Sequence, residues 1–209
     1  MPVVSAGGTL AYVENGSGLA IDNTIAISDP DDAQLTQAII TISSGFTTGD
    51  ILTFTSQNGI TEISNSAGVL IISGTASLAN YVTALRSITY HSTSVDPTLT
   101  SSSRTITWEV TDANSDGAGA ANSFGVTSTI TITPLSDLPV ITAGDTLVYT
   151  ENGISQVIDN TITISDIDDT ELAGASAKLI TAKNELISGK KNFQKIIGSK
   201  APELSLIHI

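Results

Sequence analysis

The chain has 209 residues, no Cys, a formal net charge of -13 at pH 7 and 40% hydrophobic residues. This length holds one domain of ordinary size and part of another, and the apolar content is enough for a buried core. The absence of Cys excludes disulfides and thiolate metal sites, so added stability must come from packing or from hard cations bound by oxygen. Because like charges repel, the acidic chain also predicts no nucleic-acid partner.

The sequence predicts neither a membrane-spanning helix nor a secretory signal of its own. No run approaches the roughly 20 apolar residues that a spanning helix needs. The opening MPVVSAGG lacks the basic and then apolar layout of a secretory signal. If the protein is exported, we expect its secretion signal to lie outside this sequence.

The segment that begins at Pro2 starts again at Pro139, with a constant offset of 139 - 2 = 137 residues. Without a gap, 22 of the 37 residues from 2 to 38 are identical in the second copy. A period close to one domain length predicts domains in a row rather than a solenoid with short repeats. We therefore predict a complete repeat over 2–137 and the N-terminal part of a second repeat over 138–175.

The repeat pattern is lost after Ala175. Up to Ala177 the only basic side chains are Arg86 and Arg104, whereas all six Lys follow. We predict that residues 176–209 are an aberrant Lys-rich tail produced by a frameshift or a chimeric join. The alternative is a genuine basic amphipathic tail, and no function is predicted from either.

Alternation of apolar residues with Thr or Ser dominates the first repeat, as is typical of strands with one buried face. In chain order the apolar positions are Leu10, Tyr12, Ile25, Ile27, Ile40, Ile42, Ile106, Trp108, Val110, Val126, Ile130 and Ile132. Turn sequences such as Asn58-Gly59 separate these runs. The predicted fold class is all-β, an immunoglobulin-like antiparallel β-sandwich with Trp108 in its core.

One segment has helical rather than strand spacing. Leu78, Tyr81, Val82 and Leu85 fall at i, i+3, i+4 and i+7 after Ser77, which is a suitable N-cap. We predict a short helical crossover that leads into a strand over residues 87–91.

Catalytic chemistry has little support in the sequence. His91 and His208 are the only His residues, and no Ser-His-Asp arrangement, phosphate loop or zinc spacing accompanies them. A paired-carboxylate hydrolase is compatible with the composition, but acids repeated in turns would be unusual for one. We predict no enzymatic activity, and we expect His91 to face solvent without a functional role.

Carboxylates recur at four places that a sandwich could bring together at its two ends. These are Glu14, the cluster Asp29-Pro30-Asp31-Asp32, Asp112 with Asp116, and Asp137. Three carboxylates in four residues repel each other unless a cation lies among them, and Ca²⁺ prefers oxygen ligands of this kind. We therefore predict a metal at the cluster, and we interpret Asp22 and Asp96 as solvated turn residues.

The order of these motifs resembles that of cadherin repeats. Glu-Asn-Gly follows an opening strand, then come Ser-Asp-x-Asp-Asp, a late Val-Thr-Asp, and Ser-Asp-x-Pro-Val at the junction. The stretches LTFTSQNGI and RTITWEVTDANSDG are more similar to the cadherin-like repeats of very large bacterial surface and secreted adhesins. The resemblance spans about residues 2–175 and implies a cadherin-like sandwich.

The resemblance also implies Ca²⁺ ions shared between successive repeats. The ligands that it implies are Glu14, Asp29, Asp31, Asp112 and Asp137, with Glu151, Asp166 and Asp168 in the second copy. The mid-repeat Asp-Arg-Glu of animal cadherins is missing and the linker reads Leu-Ser-Asp-Leu-Pro, so we expect one or two ions per junction rather than three.

The functional hypothesis is a structural or adhesive repeat of a large extracellular bacterial protein, stiffened by Ca²⁺ at the junctions between repeats. The expected partners are neighbouring repeats of the same chain and a cell-surface protein or glycan. One alternative is a module that itself binds carbohydrate or protein, which predicts exposed aromatic side chains. Another is an accessory domain of a secreted hydrolase.

Overall fold

The computed structural model describes residues 1–114, 117 and 119–178. The chain divides into two compact units between Leu138 and Pro139. Residues 179–209 of the predicted tail, and Asp116 in the loop after Asp112, lie outside the described residues.

The first unit consists almost entirely of short strands. In chain order they are β1 (Val3–Ser5), β2 (Thr9–Val13), β3 (Leu19–Ala20), β4 (Ala26–Ser28), β5 (Gln34–Ser44), β6 (Asp50–Thr53), β7 (Thr61–Ser66), β8 (Val69–Ser77), β9 (Thr89–Ser92), β10 (Ser103–Asp112) and β11 (Val126–Thr133). One helix, α1 (Leu78–Arg86), lies between β8 and β9. The second unit contributes β12 (Val140–Thr142) and β13 (Thr163–Ser165).

The strands of the first unit form three sheets. The largest has the order β2-β11-β10-β5-β8-β7, a second has the order β3-β9-β6, and β1 pairs with β4. The predicted all-β sandwich is confirmed. One pair departs from the antiparallel prediction, because β2 runs parallel to β11. Strand β2, near the start of the unit, therefore lies beside its last strand, β11, and runs in the same direction.

The core lies on the inward face of the six-stranded sheet, and most of the alternating apolar residues are buried as predicted, whereas Leu10, Ile27 and Val126 are partly buried at its edge. Trp108 is fully buried at the centre of the sheet, between Ile40 of β5 and Val126 of β11 in the strand register. Its indole Nε1 donates a hydrogen bond to Ser128 Oγ at 2.8 Å. The outward positions of β10 and β11 carry mostly Thr, so this face of the sheet is lined with hydroxyl groups.

The predicted helix is confirmed, including its cap. Ser77 Oγ accepts a hydrogen bond from the Asn80 backbone N–H at 3.2 Å, which satisfies one of the free amides of the first turn. Tyr81 and Leu85 are buried on one face, as their spacing predicts. Two residues after Ser87, the chain enters β9.

The interpretation of Asp22 as a solvated turn residue is wrong, because its side chain is only 2% exposed. Asp22 Oδ2 accepts hydrogen bonds from the backbone N–H groups of Gly7 and Gly8 and from Ser128 Oγ. Its Oδ1 accepts from the backbone and hydroxyl of Thr24. Burial by itself raises the pKa of Asp22, but the hydrogen bonds from Ser128, Thr24 and Gly7 outweigh it and hold the pKa well below its usual range.

A buried ion pair joins the start of β10 to the start of β6. The Arg104 guanidinium donates to both carboxylate oxygens of Asp50, at 2.6 Å and 3.2 Å. The same guanidinium donates to the carbonyl oxygens of Pro97 and Ser101, and Tyr90 Oη donates to Asp50 Oδ1. Arg104 thus holds the segment between β9 and β10 against the core.

The second unit repeats the local contacts of the first. The β12–β13 register matches that of β1–β4 at the offset of 137 residues. Asp159, the counterpart of Asp22, accepts from the N–H groups of Gly144, Asp145 and Thr161. Burial differs, however, since Ile21 is 2% exposed whereas its counterpart Ile158 is 71% exposed.

We expect Asp22→Asn to destabilise the first unit by about 2 kcal/mol at pH 7, because an amide cannot accept all of these hydrogen bonds. A carboxylate with a lowered folded-state pKa stabilises the protein above its unfolded pKa of about 3.9, and this contribution is lost as pH falls. The difference in unfolding free energy between wild type and variant, measured by urea denaturation, should therefore become smaller below about pH 4. Asp96→Asn is the matched control, because Asp96 also accepts from a Thr two residues later but is only partly buried. Equal losses in both variants would contradict the role of Asp22.

We expect Arg104→Met to cost about 3–5 kcal/mol of unfolding free energy, because it leaves the Asp50 carboxylate buried without its counter-charge. Arg86→Met is the control, since Arg86 is exposed and donates from Nε to a single carbonyl, that of Ile25. Chemical denaturation should show a small effect for Arg86→Met. A loss below about 1 kcal/mol for Arg104→Met would contradict this account.

Candidate cation site

Three carboxylates meet at one end of the sandwich, here called the Asp29 end. Asp29 and Asp32 lie in the short loop between β4 and β5, and Asp112 is the last residue of β10. Because β10 is antiparallel to β5, with Asp112 opposite Leu35, the end of β10 lies beside the start of β5. One carboxylate oxygen from each of the three residues lies within 4.8 Å of the other two.

These carboxylates are withdrawn from water. The Asp29 side chain is fully buried, and Asp32 and Asp112 are also buried. Two ionised carboxylates at this separation repel each other by about 3 kcal/mol at an effective dielectric constant of about 20. Burial raises the pKa of Asp29, because desolvation disfavours the charged form of its carboxyl group.

The hydrogen bonds of the site leave one oxygen unsatisfied. Asp112 Oδ1 accepts from the backbone N–H groups of Asn114 and Ala121, which orients this carboxylate. Asp29 Oδ1 accepts from the Asp31 N–H at 3.4 Å. Asp29 Oδ2 is buried and has no hydrogen-bond partner among the described residues. A buried charged oxygen without a partner destabilises the folded state, and a cation beside it would offset this destabilisation.

A positive group already lies at the edge of this site. The α-ammonium of Met1 is 3.5 Å from Asp29 Oδ1 and 3.0 Å from Asp31 Oδ1. The hydrogen bond to Asp31 raises the pKa of the Met1 amino group.

Glu14 lies at the opposite end of the sandwich, here called the Glu14 end. It follows β2, and its N–H donates to the carbonyl of Thr133, the last residue of the parallel neighbour β11. Glu14 is buried, and its Oε2 accepts the backbone N–H of Leu135 at 2.8 Å. Its Oε1 is buried without a hydrogen-bond partner in the described part of the chain. Glu14 thus binds the segment that leaves β11, in which Asp137 is half-buried.

The structure therefore divides the predicted ligands of the first repeat between two ends. Asp29 and Asp112 come together, whereas Glu14 and Asp137 belong to the other end. Asp31 lies at the rim with its side chain 45% exposed, and Asp32 joins the cluster instead. The Asp-x-Asp-Asp run signals the cluster, but spacing alone does not determine which of the last two Asp residues points inward.

In the second unit the predicted ligands have the same local turn but are more exposed. Asp166 Oδ1 accepts from the N–H groups of Asp168 and Asp169, much as Asp29 Oδ1 accepts from Asp31. Asp166 is half-buried, and Asp168 and Glu151 are exposed. The loop conformation is therefore preserved between the copies.

No helix in the described part of the chain has the length and hydrophobicity to span a membrane. No protein-family model matches the chain. The chain is similar to Halomucin of Haloquadratum walsbyi (strain DSM 16790 / HBSQ001), a large surface protein, with 38% identity over 86 residues. The match covers 38% of this chain and 1% of Halomucin, so the chain spans only a small fraction of the curated relative that it matches.

Proposed function

We propose that this chain is a structural repeat of a large extracellular surface protein and that Ca²⁺ binds at the Asp29 end. The bound ion stiffens the junction with a neighbouring repeat, so that the array extends from a cell surface for adhesion. The observation that carries the proposal is the buried, partnerless Oδ2 of Asp29 beside two further buried carboxylates.

The chemistry of the donors favours Ca²⁺ over other ions. Asp29, Asp32 and Asp112 offer only carboxylate oxygens, which hard cations prefer, and no Cys is present anywhere in the chain. Three carboxylates supply up to six oxygens, and Ca²⁺ accepts six to eight in flexible geometry. Mg²⁺ demands a near-ideal octahedron and keeps its waters, which suits a crowded buried cluster less well.

The extracellular, structural part of the proposal is supported by the internal repeat and by the similarity to Halomucin. Domain-length repeats in a row are typical of extended arrays. The proposal includes no catalytic activity.

We expect Ca²⁺ to raise the melting temperature of the chain by several degrees relative to chelator. A site with Kd of about 10⁻⁴ M at about 10⁻³ M Ca²⁺ stabilises the folded state by roughly 1.4 kcal/mol. The increase should vanish in Asp32→Asn, which removes one buried carboxylate charge.

The matched control for this experiment is Asp31→Asn, from the same loop, because Asp31 lies at the exposed rim. It should retain most of the Ca²⁺ effect in differential scanning calorimetry. Identical melting profiles with Ca²⁺ and with chelator in the wild-type chain would falsify the calcium role. Loss of the effect in Asp31→Asn alone would show that Asp31, not Asp32, is the ligand.

We expect Ca²⁺ to extend and stiffen a chain that carries two complete copies of residues 2–137 in tandem. Small-angle X-ray scattering should show a larger and more sharply defined maximum dimension with Ca²⁺ than with chelator. Glu14→Gln in the first copy should weaken this response, because Glu14 holds the segment that leaves β11. Superimposable scattering curves in the two conditions would rule out a stiffening role.

A further inference from the structure

The outward face of the six-stranded sheet is unusual for a chain with a net charge of -13. The outward positions of β2, β5, β10 and β11 carry Thr, Ser, Gln and a few apolar residues. Among them the one charged side chain is Glu109 of β10, which is exposed. Within the described residues, no hydrogen bond or ion pair involves its carboxylate. An isolated carboxylate on a hydroxyl-lined face is free to accept hydrogen bonds from a ligand.

Glu109 borders a small depression of about 90 Å³ in this face. Amide groups share its lining, since Gln37 of β5 and Asn122 lie beside Glu109 and Thr111. Thr111 Oγ1 donates to Asn122 Oδ1 at 2.8 Å, which orients the Asn122 amide. The depression therefore combines a carboxylate acceptor with amide groups that donate and accept.

A bulge in the segment that leads from Asn122 into β11 carries an exposed aromatic side chain, Phe124. Asn122 pairs with Thr111 in an isolated bridge and Val126 pairs with Trp108, so residues 123–125, which precede β11, lie opposite only residues 109–110 of β10. Bulges of this kind redirect side chains and occur often beside binding sites. Here the bulge leaves the Phe124 side chain 79% exposed.

The third bulge residue, Gly125, keeps Glu109 accessible. A Cβ atom at Gly125 would lie 2.9 Å from Thr107 Cγ2 and 3.5 Å from Glu109 Oε1. A side chain at this position would therefore crowd Thr107 and lie in contact with the Glu109 carboxylate. The absence of a side chain at this position leaves the space between Thr107 and Glu109 open.

We propose that Glu109, Gln37, Asn122 and Phe124 form a binding site for one neutral pyranose residue of a glycan. Sugars present vicinal hydroxyls that carboxylate and amide groups bind in pairs, and an apolar ring face that packs on an exposed aromatic. The depression is too small to enclose a ring, so it receives a substituent while the ring lies against Phe124. The acidic chain disfavours uronic and sialic acids. This site lies on the sheet face and does not depend on the proposed calcium role.

Saturation-transfer difference NMR on the full chain tests the proposal with neutral hexoses, N-acetylhexosamines and N-acetylneuraminate at millimolar concentrations. We expect transfer to at least one neutral sugar and none to N-acetylneuraminate. Glu109→Ala and Phe124→Ala should each raise Kd at least about tenfold. Both residues are exposed, so folding should be unaffected, which thermal melting verifies.

Two further variants serve as matched controls. Glu62→Ala removes an exposed carboxylate from β7, and Phe46→Ala removes a partly exposed aromatic after the end of β5, away from the bulge. Both should bind the sugar as the wild type does. Absence of transfer to every neutral sugar, or transfer that persists in Glu109→Ala and Phe124→Ala, would overturn the proposal.

Discussion

The hydrogen-bond chain from Trp108 through Ser128 to Asp22 joins the N-terminal segment of the repeat to the centre of its large sheet. Asp22 in turn holds the Gly7–Gly8 turn that precedes β2 and the turn that precedes β4. A single buried carboxylate thus organises both turns around the core. Since every oxygen of Asp22 accepts at least two hydrogen bonds, its charge is stabilised without a counter-ion.

This arrangement contrasts with that of the Asp29 end. Both Asp22 and Asp29 are buried, but the hydrogen bonds that lower the pKa of Asp22 are mostly missing around Asp29, where burial raises the pKa. The two basic residues of the first unit offer no compensation there, because Arg104 is paired with Asp50 in the core and Arg86 binds a backbone carbonyl. Both arginines of the first unit are therefore engaged with groups other than the three carboxylates of the cluster.

The distribution of charged and polar side chains gives the first unit two different kinds of surface. Carboxylates are concentrated at the ends of the sandwich, where a repeat array would place its junctions. The broad face of the six-stranded sheet is nearly uncharged and carries hydroxyl groups. A repeat that used its ends for assembly would leave this face open for ligands.

Much of the local structure could be predicted from the sequence, because it depends on neighbours along the chain. Strand alternation around Trp108, the Ser77 cap of α1 and the Asp-x-Asp-Asp turn follow from propensities and short-range hydrogen bonds. The second unit supports this conclusion, since Asp159 forms the turn of Asp22 even though its surroundings are exposed. The repeat itself was visible as identity at a constant offset.

The burial of individual carboxylates, and which of them lie close together, depend on contacts between residues far apart in sequence. Asp22 is buried where it accepts a hydrogen bond from Ser128, 106 residues away. The local sequence Ile-Asp-Asn-Thr does not indicate this burial. The inward position of Asp32 rather than Asp31 depends on how the end of β10 packs beside the β4–β5 loop. The strands, the turns and the number of carboxylates follow from the sequence. Which carboxylates are buried and lie close together depends on the packing of distant segments, because desolvation and charge repulsion arise only when those segments meet.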